Sequence, residues 1–93
     1  MEITKAVRNI FDRLRALREA SGFGQCAFAF TIGMNKNRYG EIETYATNCT
    51  IQNFLIMCAH LNVKPWQVLF ASLYKDWDEM AAEIKRNQGQ KPK

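Results

Sequence analysis

The sequence predicts an all-α fold of five to six short helices, and three observations predict it. Apolar residues return at steps of three and four over most of the 93 residues, which is the period of a helix face. Glycine, asparagine and proline interrupt that pattern at helix-length intervals, as helix ends require. No stretch alternates apolar with polar residues as a half-buried strand does.

Ile3, Val7, Ile10, Phe11, Leu14 and Leu17 give an amphipathic first helix over residues 3–20, closed by Gly22. A second helix is expected over residues 25–31. Ala29 is small enough for two crossing helices to touch, and Gly33, four residues later, accommodates the positive φ of a tight turn. Asn35 is a good N-cap for a third helix over residues 36–43, in which Tyr39 and Ile42 return apolar. Thr50 caps a fourth helix whose set Ile51, Phe54, Leu55, Cys58 and Leu61 is expected to be mostly core, and Asn62 suits a left-handed exit. Pro65 fits the first turn of a fifth helix, in which Trp66, Val68, Leu69 and Phe70 are expected to close the core. A last pattern, Leu73, Trp77, Met80, Ala81 and Ile84, runs to about residue 86. The expected organisation is therefore a domain over residues 1–72, a C-terminal helix over 73–87 and a disordered tail over 88–93.

Composition narrows the function classes. A hydrophobic content of 47% suffices for one core, and a chain of this length has no room for a second domain. No apolar run approaches the roughly 18 residues of a membrane span. The start MEITKAVRNIF is charged throughout, unlike a signal peptide, so a cytoplasmic protein is expected. Cys26, Cys49 and Cys58 are an odd set without a Cys-x-x-Cys pair, and they are read as reduced thiols in packed positions. His60 stands alone, no nucleophile is paired with a base, and no glycine-rich phosphate loop occurs. Neither catalysis, a cofactor nor a metal is expected. The net charge of +4 permits a polyanionic partner without demanding one.

Residues 25–43, QCAFAFTIGMNKNRYGEIE, carry the spacing of a helix-turn-helix. Over residues 17–70 the chain resembles the phage-repressor and Cro type of helix-turn-helix domain, also called the xenobiotic response element family. Leu17-Arg18 with Gly22 resembles the family's first-helix ending, Gln25 its opening glutamine and Ile42-Glu43 its "IE" signature. Asn48-x-Thr50-Ile51 resembles its approach to helix four, and Leu61-Asn62-Val63 its "LGV" helix exit. The resemblance implies a lambda-repressor-like helix-turn-helix domain with an added C-terminal helix. It also implies a sequence-specific transcriptional regulator, a repressor, acting as a homodimer on a two-fold symmetric DNA operator.

The same resemblance places Lys36, Asn37 and Glu41 on base edges. Their chemistry suits that role: lysine donates to guanine, asparagine pairs both ways with adenine, and glutamate accepts from cytosine. Gln25, Asn35, Arg38, Thr44 and Thr47 are expected on the DNA backbone, with Gln25 at a helix N-terminus. Arg18 and Glu43 match a family ion pair that joins helix one to the end of the recognition helix. Gly40 costs about 1 kcal/mol relative to alanine in a helix, which suggests that bulk is unwelcome there.

Other features depart from the family. The loop after the third helix reads Tyr45-Ala46-Thr47 where glycine and basic residues are usual, and Cys49 takes a common proline position. Cys26, Ala27 and Phe30 stand where helix two is usually polar, and Phe30 is read first as part of a locally larger core. An alternative therefore stands beside the DNA reading: an antitoxin or adaptor that keeps the fold and binds a partner protein through Phe30 or the C-terminal helix. The stripe of Leu73, Trp77, Met80 and Ile84 is the expected dimer contact.

Overall fold

The computed structural model describes residues 3–45 and 47–89, with side chains described for 5–45 and 47–87. Those residues form six helices and no strand: α1 Ile3–Ala20, α2 Gln25–Thr31, α3 Lys36–Glu43, α4 Ile51–His60, α5 Pro65–Leu73 and α6 Trp77–Gly89. The side chain of Ile3, Ala46 in the loop after α3, and residues 90–93 of the expected tail lie outside the described residues. Within the tail's expected span, α6 continues to Gly89.

Local chemistry sets these boundaries. The Asn35 side-chain oxygen accepts from the N–H groups of Asn37 and Arg38 at 2.8 and 3.4 Å, and Thr50 Oγ1 accepts from Asn53 N–H at 3.1 Å. Two of the orphan donors at the start of α3 and one at the start of α4 are thus engaged. At the other ends, α1 to α4 each stop in a left-handed residue: Gly22, Gly33, Tyr45 and Asn62, with φ of 84°, 73°, 64° and 56°. After α2 the Met34 N–H reaches back to the Ala29 carbonyl at 2.8 Å and Gly33 N–H to Phe30 at 3.1 Å, closing the tight turn into α3.

Tyr45 is the unusual stop, because a bulky side chain in this conformation costs about 1–2 kcal/mol. Two contacts with α1 offset that cost. Its hydroxyl donates to the Asp12 carboxylate, and the Arg8 guanidinium lies 4.9 Å over its ring.

α1 lies along α5, α2 crosses α3, and α1 and α4 complete the packing against α3 and α5 respectively. Between them Leu14, Phe28, Ala29, Ile32, Tyr39, Ile42, Phe54, Met57, Cys58, Leu61 and Val68 form one buried cluster. Ala29 is 1% exposed, as a close helix crossing demands.

Of the α4 set expected to be mostly core, Phe54, Cys58 and Leu61 are buried, and the structure corrects the expected core of α5 and the expected dimer stripe. Ile51 and Leu55 are exposed, and Met57 takes the inward place beside Phe54, Cys58 and Leu61. In α5 only Val68 is buried, while Trp66, Leu69 and Phe70 are exposed. Helix geometry explains it: Trp66 and Phe70 stand two residues either side of Val68, about 200° around the helix, so when Val68 faces inward they face out. Leu73 belongs to the end of α5, since a turn closed by Asp76 N–H on the Leu73 carbonyl separates it from α6. Met80 is 1% exposed within the single chain, so it is not available as a dimer contact. Leu73 and Ile84 are half-buried, and Trp77 alone of the four expected contacts is open, at 50% exposure.

Candidate nucleic-acid interface

The C-terminal end of α3 is tied from three directions through one carboxylate. Arg18 on α1 donates twice to Glu43, Nε to Oε2 at 2.8 Å and Nη2 to Oε1 at 3.1 Å, with both side chains about 5% exposed. Its remaining arm, Nη1, donates to the Phe23 carbonyl at 2.7 Å in the turn before α2. Gln25 at the start of α2 donates its amide to Glu43 Oε1 at 2.7 Å, and the Tyr39 hydroxyl donates to Oε2. Burial opposes the Glu43 charge, but the hydrogen bonds from Arg18, Tyr39 and Gln25 outweigh it and hold the carboxyl below the usual carboxylate range. For Tyr39, burial and the bond to Glu43 push the hydroxyl well above its ordinary value, so it remains a donor.

The fork of arginine on a carboxylate fixes direction as well as distance. Because Glu43 sits in the last turn of α3 and its partners Arg18 and Gln25 come from α1 and α2, those two helices hold α3 at one angle. Gln25 and Tyr39 were not assigned to this network from the sequence. Tyr39 was within reach, four residues before Glu43 on one helix face. Gln25 lies 18 residues away, and no local spacing signals it.

Among the described residues, no such tie reaches the opposite face of α3. Lys36, Asn37, Arg38 and Glu41 are exposed, and their side chains project from a helix whose inward face is Tyr39, Ile42 and Glu43. Asn35 has its oxygen committed to the cap, which leaves its amide nitrogen for other partners. The Thr44 hydroxyl is exposed but donates back to the Gly40 and Glu41 carbonyls at 3.0 and 3.3 Å. Thr47 is half-buried and lines a cleft of about 190 Å³ with Val7, Arg8, Phe11, Ile42 and Cys49. A Cβ placed on Gly40 would meet nothing within 4 Å.

Phe30 is 87% exposed, not part of a larger core, and Cys26 and Ala27 are exposed beside it. Cys26 is thus an open thiol where a packed one was expected, whereas Cys49 is half-buried and Cys58 buried. The reason is that α2 turns Phe28, Ala29 and Ile32 inward, and residues 26, 27 and 30 fall on its other side. His60 is exposed. Among the described residues no group of three or more His, Cys, Asp or Glu side chains is placed to hold a metal ion, and no helix is long and apolar enough to cross a membrane. The chain matches no protein-family profile, no curated protein and no solved structure.

Proposed function

We propose that this chain is a sequence-specific transcriptional regulator of double-stranded DNA, a repressor, that inserts α3 into the major groove. It acts in the cytoplasm as a homodimer on a two-fold symmetric operator. The observation that carries this reading is the division of α3 into two faces: one held by Arg18, Gln25 and Tyr39 through Glu43, the other presenting Lys36, Asn37 and Glu41 to solvent. A reading helix needs both, since base-edge hydrogen bonds require donors and acceptors held in a fixed orientation. Arg38 and the rest of the Gln25 amide flank that face and supply phosphate contacts, which position without specifying.

Gly40 offers a test that separates folding from binding. With open space around it, Gly40→Ala should stabilise the fold by about 0.5–1 kcal/mol, because alanine restricts the unfolded chain more and suits a helix better. On DNA the added methyl occupies the approach to the groove floor, so duplex affinity should fall. Thermal melting and fluorescence anisotropy read the two effects. Raised stability with unaltered affinity would mean that nothing approaches this face closely.

The exposed Phe30, with Cys26 and Ala27, favours a second reading in which the fold binds a partner protein. Salt separates the two. Affinity for a duplex falls with a log–log slope of about −0.9 per phosphate neutralised, whereas an apolar protein contact responds little. A flat salt response of duplex binding counts against the DNA reading.

A further inference from the structure

Tyr45, in its left-handed conformation, lines a cleft between α1 and the end of α3. Ile42 is buried in the wall of this cleft, and Phe11 and Cys49 are half-buried beside it. The exposed part of the lining, Arg8, Tyr45 and Asn48, carries the polar groups. The cleft is thus apolar within and polar at its opening, as sites for small molecules are. Its size limits the occupant. An apolar cavity of about 150 Å³ accepts one benzene ring, and this cleft measures about 190 Å³, which leaves room for one ring with one small polar substituent.

Charge selects the substituent. The Arg8 guanidinium lies 4.9 Å over the Tyr45 ring, and a guanidinium over a ring keeps the N–H donors along its edge, whose fork matches a carboxylate. The surroundings are cationic on balance. Arg8 and Arg15 both act on the Tyr45 hydroxyl and Arg38 acts on the Cys49 thiol, while the carboxylate opposing them, Asp12, already accepts from the Tyr45 hydroxyl.

We infer that the cleft binds a small aromatic carboxylate, with its ring against Phe11 and Ile42 and its carboxylate on the fork of Arg8. Arg8 and Phe11 belong to α1 and Ile42 to α3, so one bound molecule joins α1 to the end of α3, as Arg18 and Glu43 do. A small-molecule effector thereby acts on the helix proposed to read DNA. The inference rests on the cleft alone, and its test is run without DNA.

Benzoate is the probe, titrated into the full chain and followed by amide shifts in nuclear magnetic resonance. Saturable shifts should appear at residues 7–11, 42 and 47–49, with a Kd of about 1 mM or tighter, and saturating benzoate should raise the melting temperature, because binding favours the folded chain. Benzamide keeps the ring without the charge and acetate the charge without the ring, and each should bind at least about tenfold more weakly than benzoate. Arg8→Gln, at an exposed position, should keep the helical circular dichroism and bind benzoate no better than benzamide. Absence of saturable shifts up to about 20 mM benzoate overturns the inference, as do shifts confined to the exposed aromatic residues of α5. Benzamide as tight as benzoate, or an Arg8→Gln chain that binds benzoate like wild type, overturns it as well.

Discussion

Glu43→Ala should destabilise the fold by about 3–5 kcal/mol, the cost of leaving one member of a buried ion pair without its partner. A domain of this length is stable by roughly 5–14 kcal/mol in total, so the substitution removes at least about a fifth of that, and urea denaturation will read it directly. Arg18→Ala should cost a similar amount, because Glu43 would then stay buried with only Gln25 and Tyr39 as donors. The double variant should be much less than additive, since the two side chains meet through two hydrogen bonds. Single variants within about 0.5 kcal/mol of wild type would show that this network does not hold the helices.

The same network fixes a pH dependence. The Glu43 carboxyl is held below its ordinary value in the folded protein, so in acid the unfolded chain takes up this proton first. Its contribution is complete above the unfolded value of about 4.3, and it is lost as pH falls through the lower folded value. Stability should therefore drop below about pH 4 in wild type and less steeply in Glu43→Gln, which does not titrate there.

Lys36→Ala and Asn37→Ala should each weaken binding to the preferred duplex by about 1–3 kcal/mol, or roughly 5- to 150-fold, and leave binding to unrelated duplexes largely unchanged. Both side chains are exposed, and only the backbone N–H of Asn37 is used in the cap, so neither variant should affect folding much. Gln25→Ala differs in both respects. It should weaken specific and non-specific binding together, as loss of a phosphate contact does, and it should also lower stability, because the Gln25 amide supports Glu43. If Lys36 and Asn37 variants bind the preferred duplex like wild type, α3 is not the reading element.

How much of this was legible in the chain depended on how local the signal was. Helix limits were, because Asn35, Thr50, Gly22, Gly33 and Asn62 act within one turn of themselves. The phase of α5 was not. Trp66, Val68, Leu69 and Phe70 crowd four apolar side chains into five residues, which puts hydrophobic surface on every side and gives periodicity nothing to choose between. Only the docking of Val68 toward the core decides that the aromatic residues face out. Phe30 misled for a similar reason, as α2 has apolar residues on both faces and seven residues are too few to average over. Tyr45 was noted as a departure, yet its left-handed conformation depends on Arg8 and Asp12, more than thirty residues away, and no local rule anticipates that support. The pairing of Arg18 with Glu43 came from family resemblance. Its further partners, Gln25 and Tyr39, emerged only once α1, α2 and α3 were placed together.

The central claim, that α3 reads DNA sequence, is tested most directly by selecting bound molecules from a random duplex library with the purified full-length chain. The account predicts enrichment of one short motif, with sequences arranged in two-fold symmetry when the chain is dimeric, and loss of that enrichment in Lys36→Ala/Asn37→Ala. Recovery of the starting pool without enrichment, by a wild-type chain that is folded, would contradict it.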